Sequence, residues 1–366
     1  AQALKCQTRG LSCLAEECLN MSRVLGSGAA ALKTSTMGFG CMGITAFYGE
    51  PTPDEDAIRL LQRAHASGLT HFDTAEVYTA KALDGSTIFN EVVVGKALKT
   101  LPRSEVQIAT KYMPRLHGNT ATPESVLAAC RASCERLQVD CVDLYYAHRF
   151  CDGVSAEDQA AAFRAVLEAG LARHVGVSEF SAENIRRFHA VCPITAVQQE
   201  WSLFNRDLEE ALLPTCRELG IGIVAYSPLS RSLLSGDLTS AGDLKAGDLR
   251  TSRYPRLSAE NIPKNAAVAQ RLRPIAEKKG VSPAQLALAW VTSQGDDVVP
   301  IPGTTKIGHL DDNVASLQLS LSRQELEDIA SLVPQDDVSG ERYHKVGDWF
   351  LGQVGKDKVE DDHAKL

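Results

Sequence analysis

The sequence lacks any uninterrupted run of about 18 apolar residues, the length that a membrane-spanning helix needs. It also lacks an excess of basic residues, since 38 Lys and Arg stand against 46 Asp and Glu and give a formal net charge of −8. We therefore expect no membrane partner and no nucleic-acid partner. The 366 residues, 44% of them hydrophobic, are enough for a core that needs neither disulfides nor a structural metal.

The ten cysteines form no disulfide framework and no metal-binding pattern. They are scattered along the chain, with no Cys-x-x-Cys and no paired Cys and His at ligand spacing. Cys130 and Cys134, for example, stand one helical turn apart in an apolar pattern. We interpret the cysteines as reduced, small buried side chains, expect no bound metal, and expect a reducing compartment such as the cytoplasm.

Residues 1–20 differ in composition from the rest of the chain. They are rich in Cys, carry both acidic and basic residues, and lack the apolar stretch of a secretory signal. A transit segment for organelle import, a cloning remnant and a disordered extension all stay open. We divide the chain into this extension, a single domain over residues 21–333, and a polar, irregular tail over residues 334–366.

From about residue 34, short apolar runs alternate with amphipathic helical patterns. Most of the runs are nearly continuous in Val, Ile, Leu and Ala, as expected for strands that are buried on both faces. They lie at Thr36–Phe39, Thr70–Thr74, Val106–Thr110, Val142–Ala147, Ala172–Val177, Thr195–Val197, Ile221–Tyr226 and Val298–Ile301. The helical patterns cover residues 54–68, 89–99, 123–138, 157–170, 181–190, 207–219 and 282–293.

This alternation predicts a parallel sheet with right-handed crossovers. Eight strands are the number that closes a (β/α)8 TIM barrel, and a doubly wound open sheet is the rival fold. Pro123 and Pro283 stand where helices begin, and Gly220 and Gly280 stand where helices end. Residues 227–263 have no clear period and predict a long loop after the seventh strand of the barrel.

Gly38–Gly43 reads Gly-Phe-Gly-Cys-Met-Gly and matches the dinucleotide pattern G-x-G-x-x-G. A Rossmann fingerprint must open a helix, but Gly49, Pro51 and Pro53 follow here and are typical of a loop. We interpret the motif, with Gly43 as its last residue, as a tight turn at the mouth of the first strand that lets a ligand approach the backbone.

Four side chains with complementary chemistry stand at the ends of successive predicted strands: Asp73, Tyr78, Lys111 and His148. Taken singly, each fits a structural role, as a turn cap, a packing aromatic, a solvated strand end or a core histidine. In a parallel barrel, however, these strand ends share one rim, where barrel enzymes do chemistry. Together they suit carbonyl reduction, with a phenol as proton donor, a lysine that lowers its pKa, a carboxylate that holds the lysine charged, and an imidazole that orients the carbonyl.

The apolar walls of this pocket are predicted from large side chains near the same rim. The candidates are Phe47, Tyr48, Met113 and Trp201. For Trp201 a role in the core is an equal alternative.

Seven motifs in consistent order resemble the aldo-keto reductase superfamily over roughly residues 22–330. They are Asp73–Tyr78, Ala109–Lys111, Asp143–His148, Gly176–Phe180, Gln198–Leu203, Ala225–Leu229 and Ile301–Lys306. The resemblance is closest to the branch with a Ser-Pro-Leu loop and an Ile-Pro-Gly-Thr motif. It implies a (β/α)8 barrel that uses NADP(H) without a Rossmann fold, with Tyr78 as general acid, Lys111 and Asp73 as its pKa-lowering pair, and His148 as the carbonyl-orienting group.

The resemblance also implies a cofactor site. Tyr226 would stack on the nicotinamide, and Ser178 and Gln198 would bind its carboxamide. The loop Ser227–Gly236, which includes Pro228, Leu229 and Arg231, would pass over the pyrophosphate, and its small residues suit such an approach. The adenosine end would be held by Pro302, Gly303, Thr304, Thr305, Lys306 and Asn313. Family members often have Asn after the serine at position 178, where this chain has Glu179.

Two functions follow from these predictions. The first is NADPH-dependent reduction of an aldehyde or ketone to an alcohol, with a small carbonyl compound as the only required partner. The alternative is a nucleotide-binding regulatory or structural subunit that senses the redox state of the cofactor.

Overall fold

A computed structural model of the chain describes residues 22–82, 84–244 and 248–343. The extension 1–20 and residues 344–366 of the predicted tail lie outside these ranges. Within them the strands are β1 Ser22–Leu25, β2 Leu32–Ser35, β3 Phe39–Gly40, β4 His71–Asp73, β5 Thr79–Lys81, β6 Thr87–Phe89, β7 Gln107–Tyr112, β8 Val142–Ala147, β9 Ala172–Ser178, β10 Ala196–Glu200, β11 Gly222–Tyr226 and β12 Val298–Pro300. The α-helices in the same ranges are α1 Asp54–Ala66, α2 Asn90–Leu98, α3 Pro123–Leu137, α4 Ala156–Glu168, α5 Ala182–Val191, α6 Leu212–Leu219, α7 Arg250–Arg253, α8 Asn261–Gln270, α9 Arg273–Lys279, α10 Pro283–Thr292, α11 Ile307–Ala315 and α12 Arg323–Ser331.

Eight parallel strands form the central sheet, in the order β3-β4-β7-β8-β9-β10-β11-β12. The two ends of this sheet meet, because the N–H of Gly38 donates to the carbonyl of Pro300 at 2.9 Å and the N–H of Gly40 donates to that of Pro302 at 3.2 Å. The sheet is therefore closed, and the predicted (β/α)8 barrel is confirmed over the doubly wound rival.

The helix boundaries follow the start and stop signals that the sequence carries. The side chain of Thr122 accepts a hydrogen bond from the N–H of Ser125, with Pro123 in the first turn of α3. Ser282 and Gln285 form a reciprocal capping box at the start of α10. Gly220 closes α6 in the left-handed conformation, which glycine adopts without a steric penalty.

An antiparallel hairpin of β1 and β2, which the sequence did not predict, covers one end of the barrel. Leu25 and Leu32 of this hairpin pack with interior side chains of the barrel such as Leu144 and Val224. A Cβ atom on Gly222 would lie only 2.4 Å from Cδ2 of Leu25, so the hairpin packs directly against the start of β11. A ligand must therefore enter from the opposite end, where the strands terminate.

The segment after β11 is irregular, as predicted. It consists of short 3-10 turns at Ser230–Ser235, Ala241–Asp243 and Pro255–Leu257 together with the four-residue helix α7. The described part of the predicted tail, residues 334–343, is also irregular apart from one 3-10 turn at Gln335–Asp337. It is nevertheless anchored to the barrel domain, because the backbone of Ser339 both donates to and accepts from the side chain of Asn265.

The glycines of the G-x-G-x-x-G match are explained by barrel closure. A Cβ atom on Gly38 would lie 2.9 Å from the ring of His71 and from Ile301, and one on Gly40 would lie 2.8 Å from the carbonyl oxygen of Ile301. A Cβ atom on Gly43 would approach the Tyr48 ring at 3.3 Å. The first and last strands of the barrel therefore meet closely because Gly38 and Gly40 carry no side chain, whereas Gly43 only makes room for the Tyr48 ring.

We expect Gly40→Ala to lower the free energy of unfolding by about 1–3 kcal/mol, the usual cost of an added methyl group in a packed interior. The matched control is Gly308→Ala, because a Cβ at that helical position meets nothing within 4 Å. The control should be neutral or slightly stabilising. Urea unfolding of both variants measures the difference, and equal stabilities would contradict the role of Gly40 in closure.

Candidate active site

The structure brings the four predicted catalytic side chains together at the end of the barrel where the parallel strands terminate. Asp73 ends β4, Lys111 lies near the end of β7, His148 follows β8, and Tyr78 stands in the turn between β4 and β5. All four are buried, with exposed fractions of 2%, 0%, 5% and 8% in that order. Side chains that are up to 75 residues apart in sequence thus share one small space.

Lys111 and Asp73 form a buried ion pair with the Nζ–Oδ1 distance at 2.5 Å. The same ammonium donates to the carbonyl oxygen of Thr74 at 2.6 Å, and the second carboxylate oxygen accepts from Nε2 of Gln198 at 2.7 Å. The Lys111 nitrogen lies 5.1 Å from the centre of the Tyr78 ring. Each charge of the pair is therefore held in place by a neutral partner, with the ammonium facing the phenol.

The pKa of Tyr78 is raised well above its usual value, first by burial and second by the nearby Asp73 carboxylate, while the guanidinium of Arg149 opposes the shift. That Lys111 and Asp73 together lower the pKa of this phenol stays a prediction. Burial also lowers the pKa of Lys111, which the Asp73 carboxylate counteracts.

His148 packs edge-on against Tyr78. The ring centroids are 5.9 Å apart and the planes are nearly perpendicular, at 87°. Burial lowers the pKa of His148 well below its usual value, and the positive charges of Arg149 and Lys111 add to this effect. Its Nδ1 atom has no hydrogen-bond partner among the described residues. The imidazole is therefore neutral near pH 7 and can act as a hydrogen-bonding group.

The buried histidines give the fold an acid-sensitive stability. Burial lowers the pKa of both His71 and His148 in the folded state, whereas the unfolded chain titrates near pH 6.5. Below that pH the unfolded state binds protons that the folded state does not. The free energy of unfolding should therefore fall as the pH falls, by up to about 1.4 kcal/mol per pH unit for each group.

Urea unfolding at several pH values between 7.5 and 5.0 measures this dependence. His71→Gln, which removes one of the two groups, should flatten the slope below pH 6.5. A stability that does not change over this range would contradict the assignment of both imidazoles as neutral.

The residues predicted to hold the nicotinamide lie beside the four catalytic candidates. Ser178, at the end of β9, is buried, and its hydroxyl lies 3.4 Å from Nη1 of Arg149. Gln198 is bonded to Asp73, so it links the predicted carboxamide subsite to the ion pair. Tyr226 is half-buried at the end of β11, and its hydroxyl donates to Oε1 of Glu179 at 2.8 Å.

The loop predicted to pass over the pyrophosphate has an unusual backbone. Ser227, Ser230, Arg231 and Ser232 all have positive φ angles, of 49°, 47°, 54° and 80°. Part of this backbone is already paired within the loop, because the N–H of Ser230 donates to the carbonyl of Ser227 at 2.8 Å and the N–H of Ser232 donates to that of Leu229 at 3.1 Å. Pro228 and Leu229 lie within this loop, and Gly236 ends it with a φ of 86°.

The Arg231 side chain is not directed at an open anion site. It forms a double hydrogen bond with the Glu200 carboxylate, at 2.9 and 3.0 Å, and lies 4.1 Å from the centre of the Tyr254 ring. We therefore expect the backbone of this loop, and not the Arg231 guanidinium, to face the pyrophosphate.

The segment predicted to hold the adenosine end forms the turn between β12 and α11. Pro302 and Asn313 are buried, whereas Gly303, Thr305 and Lys306 are exposed and Thr304 is half-buried. Lys306 is the residue that precedes α11, so its ammonium group adds to the positive end of that helix.

Three of the four predicted wall residues lie near Tyr78 or near the rim of the barrel. Phe47 packs edge-on against Tyr78, with ring centroids 6.5 Å apart. The Tyr48 ring lies under the guanidinium of Arg250 at 4.9 Å. Met113 is buried directly after β7, and its N–H donates to the Glu76 carboxylate at 2.6 Å.

Trp201 does not line the rim. It is fully buried, packs edge-on against Trp290 with ring centroids 6.5 Å apart, and donates from its indole nitrogen to Glu209. Because Trp290 belongs to α10 on the outside of the barrel, the alternative role of Trp201 in the core is the one that fits.

Sequence reasoning missed four side chains at the site. Arg149 directly follows His148 at the end of β8, and Glu76 lies inside the Asp73–Tyr78 motif. Their positions in the sequence were therefore enough to predict that they lie at the site. Tyr343 contacts Tyr226 and Arg231, and Arg342 binds Glu179. Both belong to a segment that has no periodic pattern. Their presence could only be found from the folded chain.

Among residues 22–82, 84–244 and 248–343, no group of three or more His, Cys, Asp or Glu side chains is arranged to hold a metal ion. Over the same part of the chain, no helix combines the length and apolar character that crossing a bilayer requires.

Known proteins share both the sequence pattern and the fold. A model described as the aldo/keto reductase family matches residues 36–334. A soybean (Glycine max) protein named probable aldo-keto reductase 1 is 45% identical over 333 residues, which cover 88% of this chain and 92% of that protein.

Solved structures agree with this result. A glycerol dehydrogenase from Gluconobacter oxydans has a TM-score of 0.72 at 25% identity, and the match covers 86% of this chain and 96% of that one. An aldo-keto reductase from Klebsiella pneumoniae in complex with NADPH has a TM-score of 0.65 at 25% identity, over 89% of this chain and 100% of that one.

Proposed function

Because the chain belongs to the aldo/keto reductase family, a family of oxidoreductases, we propose that it reduces an aldehyde or ketone to the alcohol with NADPH, using Tyr78 as the proton donor. The observation that carries the proposal is the buried Asp73–Lys111 pair, whose ammonium lies 5.1 Å from the Tyr78 ring, together with His148, whose ring packs edge-on against the same phenol.

Each of the four side chains has a separate role in this proposal. Tyr78 gives its hydroxyl proton to the carbonyl oxygen, and it is fully protonated beforehand because burial raises its pKa. The phenolate that results is stabilised by the ammonium of Lys111, which Asp73 keeps charged. Neutral His148 donates a hydrogen bond to the carbonyl oxygen and orients it. Solvent then returns the proton to Tyr78.

The residues present fit a nicotinamide dinucleotide phosphate. The small side chains of the loop Ser227–Gly236 suit the close approach of a pyrophosphate, and the exposed Thr305 and Lys306 beside the start of α11 suit a 2′-phosphate. Tyr226 would carry the nicotinamide ring, with Ser178 and Gln198 at its carboxamide. When bound, the reduced cofactor supplies the hydride that adds to the carbonyl carbon.

Cofactor preference provides the first test. Titrations with NADPH and with NADH, followed by fluorescence, should give tighter binding of NADPH. Lys306→Met should weaken NADPH by about tenfold, the equivalent of one charge-assisted hydrogen bond, and should leave NADH unchanged. An equal loss for both cofactors would contradict a contact between Lys306 and the 2′-phosphate.

A panel of aldehydes and ketones tests the reaction. Turnover with NADPH supports the reductase, whereas binding without turnover of any carbonyl compound would favour the regulatory subunit that senses cofactor redox state. Such a subunit would need the nucleotide site, but it would have no use for a charged pair aimed at a buried phenol.

A further inference from the structure

The end of the described chain reaches the residue proposed to carry the nicotinamide. We name residues 339–343 the C-terminal strap. Arg342 and Tyr343 of the strap are buried, with exposed fractions of 8% and 4%, although they belong to an irregular segment. Both contact the hydroxyl end of Tyr226, one directly and the other through Glu179.

Glu179 is the first half of this connection. Its carboxylate is fully buried and accepts from the Tyr226 hydroxyl at 2.8 Å and from the two terminal nitrogens of Arg342 at 2.7 and 2.5 Å. Burial alone would raise the pKa of Glu179, but the paired guanidinium of Arg342 lowers it to about 2. The carboxylate that stands in place of the family's frequent Asn thus has a matching cation in the strap.

Tyr343 is the second half. Its hydroxyl lies 3.1 Å from that of Tyr226 and accepts from Nη2 of Arg231 at 3.1 Å, while its ring packs against Tyr254 with centroids 5.6 Å apart. Arg231 is in turn fixed by the double hydrogen bond to Glu200. Arg231 therefore reaches the Tyr226 hydroxyl through the Tyr343 hydroxyl of the strap.

The strap itself is held firmly at its start. Ser339 is bonded to Asn265 in both directions, and the carbonyl oxygen of Gly340 accepts from Nε of Arg256 at 3.1 Å. Gly340 has a φ of 87°, and a Cβ atom there would lie 2.6 Å from the side chain of Asn261. The strap thus reaches Tyr226 from a fixed base on α8 and the turn before it.

We propose that the C-terminal strap, through Arg342 on Glu179 and through Tyr343, is a positioning element that fixes the Tyr226 ring as the platform for the nicotinamide. This inference rests on the proposed function. Buried ion pairs rarely add net stability over apolar side chains of equal volume, so a role in geometry accounts better for a pair with two matched hydrogen bonds.

The experiment compares two ligands that share one end. NADPH contains the nicotinamide, whereas adenosine 2′,5′-bisphosphate contains only the adenosine end of the cofactor. In the double variant Glu179→Gln/Arg342→Met, which removes both charges together, NADPH should bind about tenfold more weakly, the equivalent of one charge-assisted hydrogen bond. Adenosine 2′,5′-bisphosphate should bind as it does to the wild-type protein.

Two further variants keep the test sharp if the double variant folds poorly. Tyr343→Phe removes one hydroxyl and keeps the ring, so it should weaken NADPH less and leave the adenosine ligand unaffected. Arg342→Lys keeps a charge but loses the double hydrogen bond. Its affinity for NADPH should lie between that of the wild type and that of the double variant.

Several results would overturn the proposal. Equal weakening of both ligands would mean that the strap only supports the fold, and unchanged or tighter NADPH binding would mean that it does not position the ring. If the wild-type protein bound neither ligand, both the proposed function and the proposed role of the strap would be contradicted. If the wild-type protein bound both ligands and the variants bound NADPH equally well, only the proposed role of the strap would be contradicted.

Discussion

Replacing Tyr78 by phenylalanine should lower kcat by roughly 10²- to 10⁴-fold, the usual contribution of a positioned proton donor, while NADPH binding stays near the wild-type value. The substitution removes only the hydroxyl. The aromatic ring keeps its contacts with Phe47 and His148, and it still faces the Lys111 ammonium. A loss of turnover without a loss of binding would therefore locate the effect in proton transfer.

The matched control for this experiment is Tyr145→Phe. Tyr145 is also a fully buried tyrosine, but it lies in the core beside Phe163, and its hydroxyl has no hydrogen-bond partner among the described residues. We expect the control to keep wild-type kcat and stability. Near-wild-type carbonyl reduction by the Tyr78 variant would show that another group delivers the proton.

The strand–helix rhythm was enough to predict the barrel, because buried parallel strands produce nearly continuous apolar runs. Errors occur at the ends of elements. The first barrel strand is only Phe39–Gly40 rather than Thr36–Phe39, and the sixth extends to Glu200 rather than ending at Val197. Backbone pairing with neighbouring strands sets these limits, and a local pattern carries no information about it.

Most candidate site residues were found because they stand at strand ends, where topology alone brings them to one rim. The direction of the Tyr78 pKa was not predictable, since it depends on how completely the fold buries the phenol. Trp201 was ambiguous for a similar reason, because a residue after a strand points either to the rim or to the outer helices. The strap residues Arg342 and Tyr343 lie more than 100 positions from Tyr226, and nothing local marks that contact.

Lys111→Met should be the most damaging single change at the ion pair, for both stability and turnover. It leaves the Asp73 carboxylate buried with Gln198 as its remaining side-chain partner among the described residues. Breaking a buried pair from one side costs about 3–5 kcal/mol, because the remaining charge has no compensation. Turnover should fall as well, since no cation is left to stabilise the Tyr78 phenolate. Urea unfolding and kcat measure the two effects separately.

The double variant Asp73→Asn/Lys111→Met separates charge compensation from catalysis. With both charges removed, most of the lost stability should return, because the buried site no longer holds an unpaired ion. Turnover should not return, since the ammonium that faces Tyr78 is still missing. If the double variant were no more stable than Lys111→Met, the stability loss would come from packing rather than from charge. If it regained turnover, Lys111 would not be the group that supports the phenolate, and Arg149, whose positive charge opposes the raised pKa of Tyr78, would be the next group to test.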